Sequence, residues 1–239
     1  MFLRNLRLVA VFYLLLVNLA NAKEVEWRVV TEIAAPYQLL EDDKLTGLAV
    51  DMVKPVLADA GVTAETEVYP WARAYELAKS RKNTLIFSMV RLKEREQHFH
   101  WIGLIRQTRL SFISLAKNTN VALTSVDDAR NYGIGAVRND FNHQYLVNEG
   151  FKEKENFILR SQMNEIVDLL FLERVEVMLV NLVFLQELIP EKGFNMSDIR
   201  VHYQPNNAIR DVYLAANVNS DPEMVERLKA LFIKHHPQN

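Results

Sequence analysis

The sharpest change in hydrophobic patterning lies in residues 84–105, TLIFSMVRLKEREQHFHWIGLI, where an apolar run stops at a cluster of charge and resumes around aromatics. Residues 84–87 have the continuous, partly β-branched character of a strand covered on both faces, as in a parallel sheet. Ser88 closes that run. Upstream, residues 25–31 alternate and are rich in valine, which predicts a strand delivering Glu32, Pro36 and Tyr37 beyond its end. In residues 45–61 the stripe Leu48, Met52, Val53, Val56, Leu57, Ala60 predicts a helix stopped by Gly61, with Pro55 expected to kink it. A second strand is expected over residues 63–69, and Pro70 suits the first turn of a helix over 71–80. Strand, helix, strand, helix, strand implies a parallel sheet with right-handed crossovers.

A second cycle follows. Residues 110–116 form another extended apolar run, and a polar connector occupies 117–125. Strands are expected over 132–137, 156–159 and 175–180, the last ending at Asn181, with a helix over 141–149 between the first two. Ser161 is expected to cap a helix whose buried stripe is Ile166, Val167, Leu170 and Phe171. A helix over 182–189, strands over 199–203 and 212–216, and a final amphipathic helix opened by Asp221-Pro222 complete the chain. Extended joins near 110–116 and 206–212 suggest two α/β lobes around a cleft, a favoured place for small-molecule sites.

Composition narrows the setting. Residues 1–22 carry Arg4 and Arg7, an apolar run and Ala20-Asn21-Ala22, the pattern of a secretory signal with an A-x-A cleavage site. The run is short for a membrane span, so a soluble exported product without a stable membrane anchor is expected, in a bacterial periplasm. The chain has no cysteine, which excludes disulfides and a lipid-modified cysteine. Cleavage leaves 217 of 239 residues, with 26 basic side chains against 30 acidic ones, a formal charge of −4. That balance offers nucleic acid no basic footprint.

The charged turn supplies the candidate chemistry. Arg91 and Arg95 follow the carboxyl end of a strand, where open α/β sheets bind ligands. A guanidinium fork suits a carboxylate, although the same residues would serve as a solvated turn. Trp71 and Arg73 open a helix just after a strand and could wall a pocket, or pack between lobes and sit on the surface respectively. His98 and His100 alternate, but two ligands do not make a metal site, and no metal or cofactor is expected. Glu32 and Asp140 are acids available to a catalytic reading, yet the sequence holds no nucleophile–base–orienter pattern, so an enzyme is not expected.

The succession of Pro36-Tyr37, LTGLAVDMV, YPWARAYELA, LIFSMVRLKERE with HWIG behind it, YGIGAVRND and ERVEVMLVN resembles the bacterial solute-binding proteins of family 3, the periplasmic amino-acid-type receptors of ABC transporters. The resemblance spans the mature chain. It implies a two-lobed periplasmic-binding-protein-like fold of type II, hinged by two crossing strands, with residues 23–112 and 210–239 in lobe 1 and 113–209 in lobe 2. It places the family's carboxylate-binding arginine at Arg95 and, at the start of a second-lobe helix, anion-binding backbone N–H groups at Arg138-Asn139-Asp140. Two positions depart from the family pattern. Val90 stands where a threonine is usual, and Asn181 where an acid usually receives an amino group, which argues against an α-amino acid held in the standard way and fits a neutral or more anionic ligand better. With Arg73 and Arg138 added, a cationic cleft for a carboxylate-bearing ligand is implied: an amino acid, small peptide or organic acid. Ser88 completes the candidate contacts. The implied partner is an ABC permease, or alternatively a membrane sensor; exported dehydratases on the same fold are the enzymatic alternative.

Overall fold

A computed structural model describes residues 26–237, so the segment read as a signal lies outside the described residues. Strand β1 (Arg28–Thr31) leads through a small hairpin, β2 (Leu39–Glu41) and β3 (Lys44–Thr46), into helix α1 (Leu48–Ala60), then β4 (Thr66–Val68), α2 (Trp71–Ser80) and β5 (Thr84–Val90). β1 lies between β4 and β5 and is parallel to both, as helical crossovers require. The period-two alternation of the strands sorts their side chains. Val29, Leu85 and Phe87 join the core under α1, while Val30 and Ile86 join the core on the α2 side, where Met89 follows them because a bulge at Ser88 breaks the alternation. Gly61 takes a left-handed φ of 78° and ends α1; Pro55 does not, and the helix runs through it to Ala60.

After a single 3₁₀ segment, Lys93–His98, the chain enters β6 (Phe99–Arg109). This 11-residue strand departs from the sequence reading, which placed the next extended run only at 110. The polar residues spaced along it hid its length. β7 (Ser111–Leu115), β8 (Ile134–Val137), α3 (Phe141–Asn148), β9 (Phe157–Arg160), α4 (Met163–Phe171), β10 (Val177–Val180), α5 (Leu182–Glu191) and β11 (Ile199–Tyr203) build the second unit. β12 (Ile209–Asn217) and α6 (Pro222–His235) return to the first.

The result is two five-stranded sheets, β4-β1-β5-β12-β6 and β11-β7-β10-β8-β9. Neither is wholly parallel: β12 is antiparallel to β5 and β6, because the chain comes back from the second lobe in the opposite sense. The chain leaves the first sheet between β6 and β7 and re-enters it between β11 and β12. At the crossing the Leu110 N–H donates to the Ala208 carbonyl at 3.0 Å. The cap of α4 also differs from expectation. Gln162 is the N-cap, and the Ser161 N–H, Ser161 hydroxyl and Gln162 N–H all donate to the Glu165 carboxylate.

α6 seals the first lobe because Phe232 sits against Gly103 on β6, where an added Cβ would lie 2.1 Å from the ring. Both neighbours are tightly held, since Phe232 is buried in the α1–α6 core. Gly103→Ala is therefore expected to destabilise the protein by about 1–3 kcal/mol through overpacking. Urea unfolding measures this directly, and an unchanged midpoint would mean that α6 shifts without cost.

Candidate ligand-binding cleft

The first lobe presents the carboxyl ends of β1 and β5 and the start of α2; facing them are the end of β8 and the first turns of α3, α4 and α5. Between them lies a cavity of about 220 Å³ lined by Glu32, Ile33, Val68, Pro70, Val137, Asp140, Met163 and Leu188, among others. A smaller one of about 30 Å³ shares Glu32, Ala34, Asp140, Met163 and Phe184 with it and adds Ser88, Arg106, Thr108 and Asn181. Ser88 owes its place to a bulge. Its φ is 60°, and the ladder to β12 skips from Met89↔Tyr213 to Ile86↔Ala215. Its hydroxyl oxygen is buried with no hydrogen-bond partner.

The turn before α3 was expected to offer free N–H groups to an anion, and it does not. The N–H of Arg138 donates to the Arg160 carbonyl, that of Asn139 to Nδ1 of His143, that of Asp140 to the Val137 carbonyl, and that of Phe141 to Oδ1 of Asp140. Asparagine tolerates the left-handed φ of 59° at Asn139. The Asn139 carbonyl accepts from Nε1 of Trp71 at 2.7 Å and from Nη2 of Arg95 at 3.1 Å, joining the two lobes.

Four arginines were expected in or near the cleft, and only Arg95 is held between the lobes. It is 3 % exposed, gives Nη1 to the Val90 carbonyl at 2.9 Å, and lies 5.3 and 5.0 Å from the ring centres of Trp71 and Tyr75. Arg73 is exposed and stacks on Tyr69, the residue two before the helix. Arg91 is paired with Glu96 at 2.8 Å and lies over Trp101 and Tyr213. Arg138 is exposed and reaches Glu153 at 3.7 Å, not Asp140. All three are drawn outward by local partners, so the strongly cationic cleft is not formed.

Asn181 is buried, but its side chain is committed: Oδ1 accepts from the Val183 N–H to cap α5, and Nδ2 donates to Thr108 Oγ1 at 2.8 Å. Tyr37 meets Phe184 edge-on across the cleft, at 5.9 Å between ring centres. The sequence reading missed Arg106, whose guanidinium carbon lies 3.8 Å from the Tyr37 ring centre and 5.5 Å from that of Phe184. Its Nε and Nη1 are buried without a hydrogen-bond partner. Reading β6 as one strand would have found it, since Arg106 and Thr108 alternate with the exposed Gln107 and Arg109. His98 and His100 serve separate local contacts, near Gln97 and the Val218 carbonyl.

Glu32 and Asp140, one from each lobe, keep some surface toward the cavity but are enclosed by protein. Burial, reinforced by the negative charge of Asp140, holds Glu32 well above the usual carboxylate range, with Arg106 and Arg95 pulling the other way. Burial likewise raises Asp140, opposed by the Phe141 N–H and the two arginines. A carboxyl raised in the folded state contributes stability below its unfolded pKa of about 4.3, and that stability is lost as pH rises through the folded pKa. Glu32→Gln removes this loss. Its melting temperature should exceed wild type at pH 7.5, by about 3–5 °C for each pK unit of the shift, and converge with it near pH 4. A constant difference across that range would place the carboxyl in an ordinary environment.

Residues 28–210 match the model of bacterial extracellular solute-binding proteins, family 3. Among solved structures, the chain is similar to a histidine kinase sensor domain with similarity to periplasmic binding proteins, at TM-score 0.76 and 16 % identity, covering 89 % of this chain and 92 % of that one. An ancestral arginine-binding protein bound to arginine gives TM-score 0.74 and 15 % identity over 89 % and 92 % of the two chains. An amino acid ABC transporter substrate-binding protein from Streptococcus pneumoniae, bound to L-arginine, gives 0.72 and 16 % over 89 % and 90 %. No curated protein matches in sequence. At these identities the structural likenesses speak for the fold, while the family match covers most of the chain: it belongs to family 3 of the bacterial extracellular solute-binding proteins.

Proposed function

We propose that the protein is a periplasmic receptor that closes its lobes over a small dipolar solute, one carrying a carboxylate, a nearby ammonium and an apolar body. The observation behind this reading is the balance of charge around the cleft. Arg95 and Arg106 stand with Glu32 and Asp140, beside a cavity of about 220 Å³ walled by Val68, Pro70, Val137, Met163 and Leu188. An acid is absent at Asn181, yet Glu32 from the first lobe and Asp140 from the second can receive an ammonium between them. This restores an amino acid with an apolar side chain, which the Asn181 departure had argued against, as a ligand whose two charges each find a group of opposite sign.

Binding requires no chemistry. A ligand that touches both lobes only when they are together draws the equilibrium toward the closed form. Residues 1–22 would export the chain, and no helix among the described residues is long and apolar enough to cross a membrane. The closed form is suited to delivery to an ABC permease, in keeping with the transporter-associated relative from Streptococcus pneumoniae. The likeness to a histidine kinase sensor domain favours a second reading, in which a membrane sensor reads the same closed form.

Thermal unfolding against a panel of amino acids, dicarboxylates, sugars and polyamines tests the ligand class. A ligand at about a hundred times its Kd adds about 2.7 kcal/mol, which raises the midpoint by roughly 5–10 °C. Apolar amino acids such as L-leucine and L-phenylalanine should give the largest shifts. Stabilisation by sugars or polyamines alone would contradict the reading.

A further inference from the structure

We infer that the ligand's carboxylate is received by Arg106, on the crossing strand β6, and that Arg95 acts as a tie between the lobes instead of as the anion anchor. This rests on the dipolar-solute reading above and assigns roles within that site. The two arginines differ in what their donors already hold. Arg95 gives one nitrogen to the Val90 carbonyl and another to the Asn139 carbonyl, lies against Trp71 and Tyr75, and lines neither of the two cavities. Two of its donors are thus spent on backbone carbonyls, one of which also accepts from Trp71.

Arg106 is free to bind in the place where Arg95 is not. It lines the smaller cavity, and its Nε and Nη1 are buried with no hydrogen-bond partner. Among the described residues it forms no ion pair; the aromatic faces of Tyr37 and Phe184 hold it without using an N–H. Buried donors left unpaired are costly, and an anion with several lone pairs relieves that cost directly. The Ser88 hydroxyl, also buried and unpartnered, lines the same cavity of about 30 Å³, which gives a second donor within a space suited to one small polar group.

The alternatives are already used. The N–H groups of Asn139, Asp140 and Phe141 at the start of α3 are bonded within their own turn. A carboxylate at Arg106 leaves Glu32 and Asp140, which line both cavities, facing the ammonium. The ligand's apolar body then extends into the larger chamber.

The test compares acids with their decarboxylated counterparts by calorimetric titration of the full-length gene product: L-leucine with isoamylamine, and L-phenylalanine with phenethylamine. Wild type should prefer the acid by about 30-fold or more, the loss typical of breaking a buried charge pair. In Arg106→Gln that preference should fall to within about threefold, and Arg106→Lys, which keeps the charge without the fork, should recover part of it. Arg95→Gln should weaken acid and amine together and leave their ratio intact. Removing an unpaired buried charge should leave ligand-free Arg106→Gln at least as heat-stable as wild type, so a loss of preference there cannot come from unfolding. A ratio lost in Arg95→Gln and kept in Arg106→Gln, or lost equally in both, overturns the division of roles while the carboxylate reading stands. If none of the four probes binds wild type, the dipolar-solute reading falls and takes this assignment with it.

Discussion

One backbone carbonyl of the second lobe takes two hydrogen bonds from the first. The Asn139 oxygen accepts from the Trp71 indole and the Arg95 guanidinium, both delivered by the first lobe, while its own residue begins the approach to α3 in the second. A hydrogen bond to a charged donor contributes about 1.5–3 kcal/mol, comparable with the free energies that separate open and closed states. The left-handed backbone at Asn139 aims the carbonyl outward, and the His143 ring holds the N–H behind it. From that point the rest of the cleft follows: Asp140 is brought to face Glu32, and one continuous apolar core joins Trp71 and Ile86 to Val137 and Ile166.

The same closure sets up an opposing force. Glu32 and Asp140 repel across the cleft, and two partly desolvated arginines lie near them without neutralising them in direct ion pairs. The Asn139 carbonyl, the Asn181–Thr108 hydrogen bond and the shared apolar core draw the lobes together, and the repulsion between two carboxyls opposes them. A solute with charges of both signs removes the repulsion and satisfies the unpaired guanidinium in one step. That is a physical reason for a dipolar ligand to favour the closed form more than a neutral one would.

Most of the fold could be read from periodicity. The stripe over 45–61, the Pro70 opening of α2 and the alternation over 199–203 each gave an element within a few residues of its observed bounds. The short β2–β3 hairpin and β6 were the exceptions, the latter because Gly103, Arg106 and Gln107 interrupt its apolar character. The glycine answers to Phe232 and the arginine to the cleft, neither of which is a local signal. The site was legible mainly in its residue types. Glu32, Tyr37, Ser88, Trp71, Arg95, Asn139 and Asp140 do meet around the interlobe contact, yet the direction of each side chain depended on which partner it found in the folded chain. Arg73, Arg91 and Arg138 turned away toward Tyr69, Glu96 and Glu153, and the N–H groups before α3 were consumed by their own turn.

The most direct measurement is a crystal structure of the protein grown with the apolar amino acid that gives the largest thermal shift. The carboxylate should lie within hydrogen-bonding distance of Arg106 and the Ser88 hydroxyl, the ammonium between Glu32 and Asp140, and the Asn139 carbonyl should remain on Trp71 and Arg95. A carboxylate seated on Arg95 with the Asn139 carbonyl displaced, or a ligand outside the interlobe cleft, would contradict the tie at the centre of this structure.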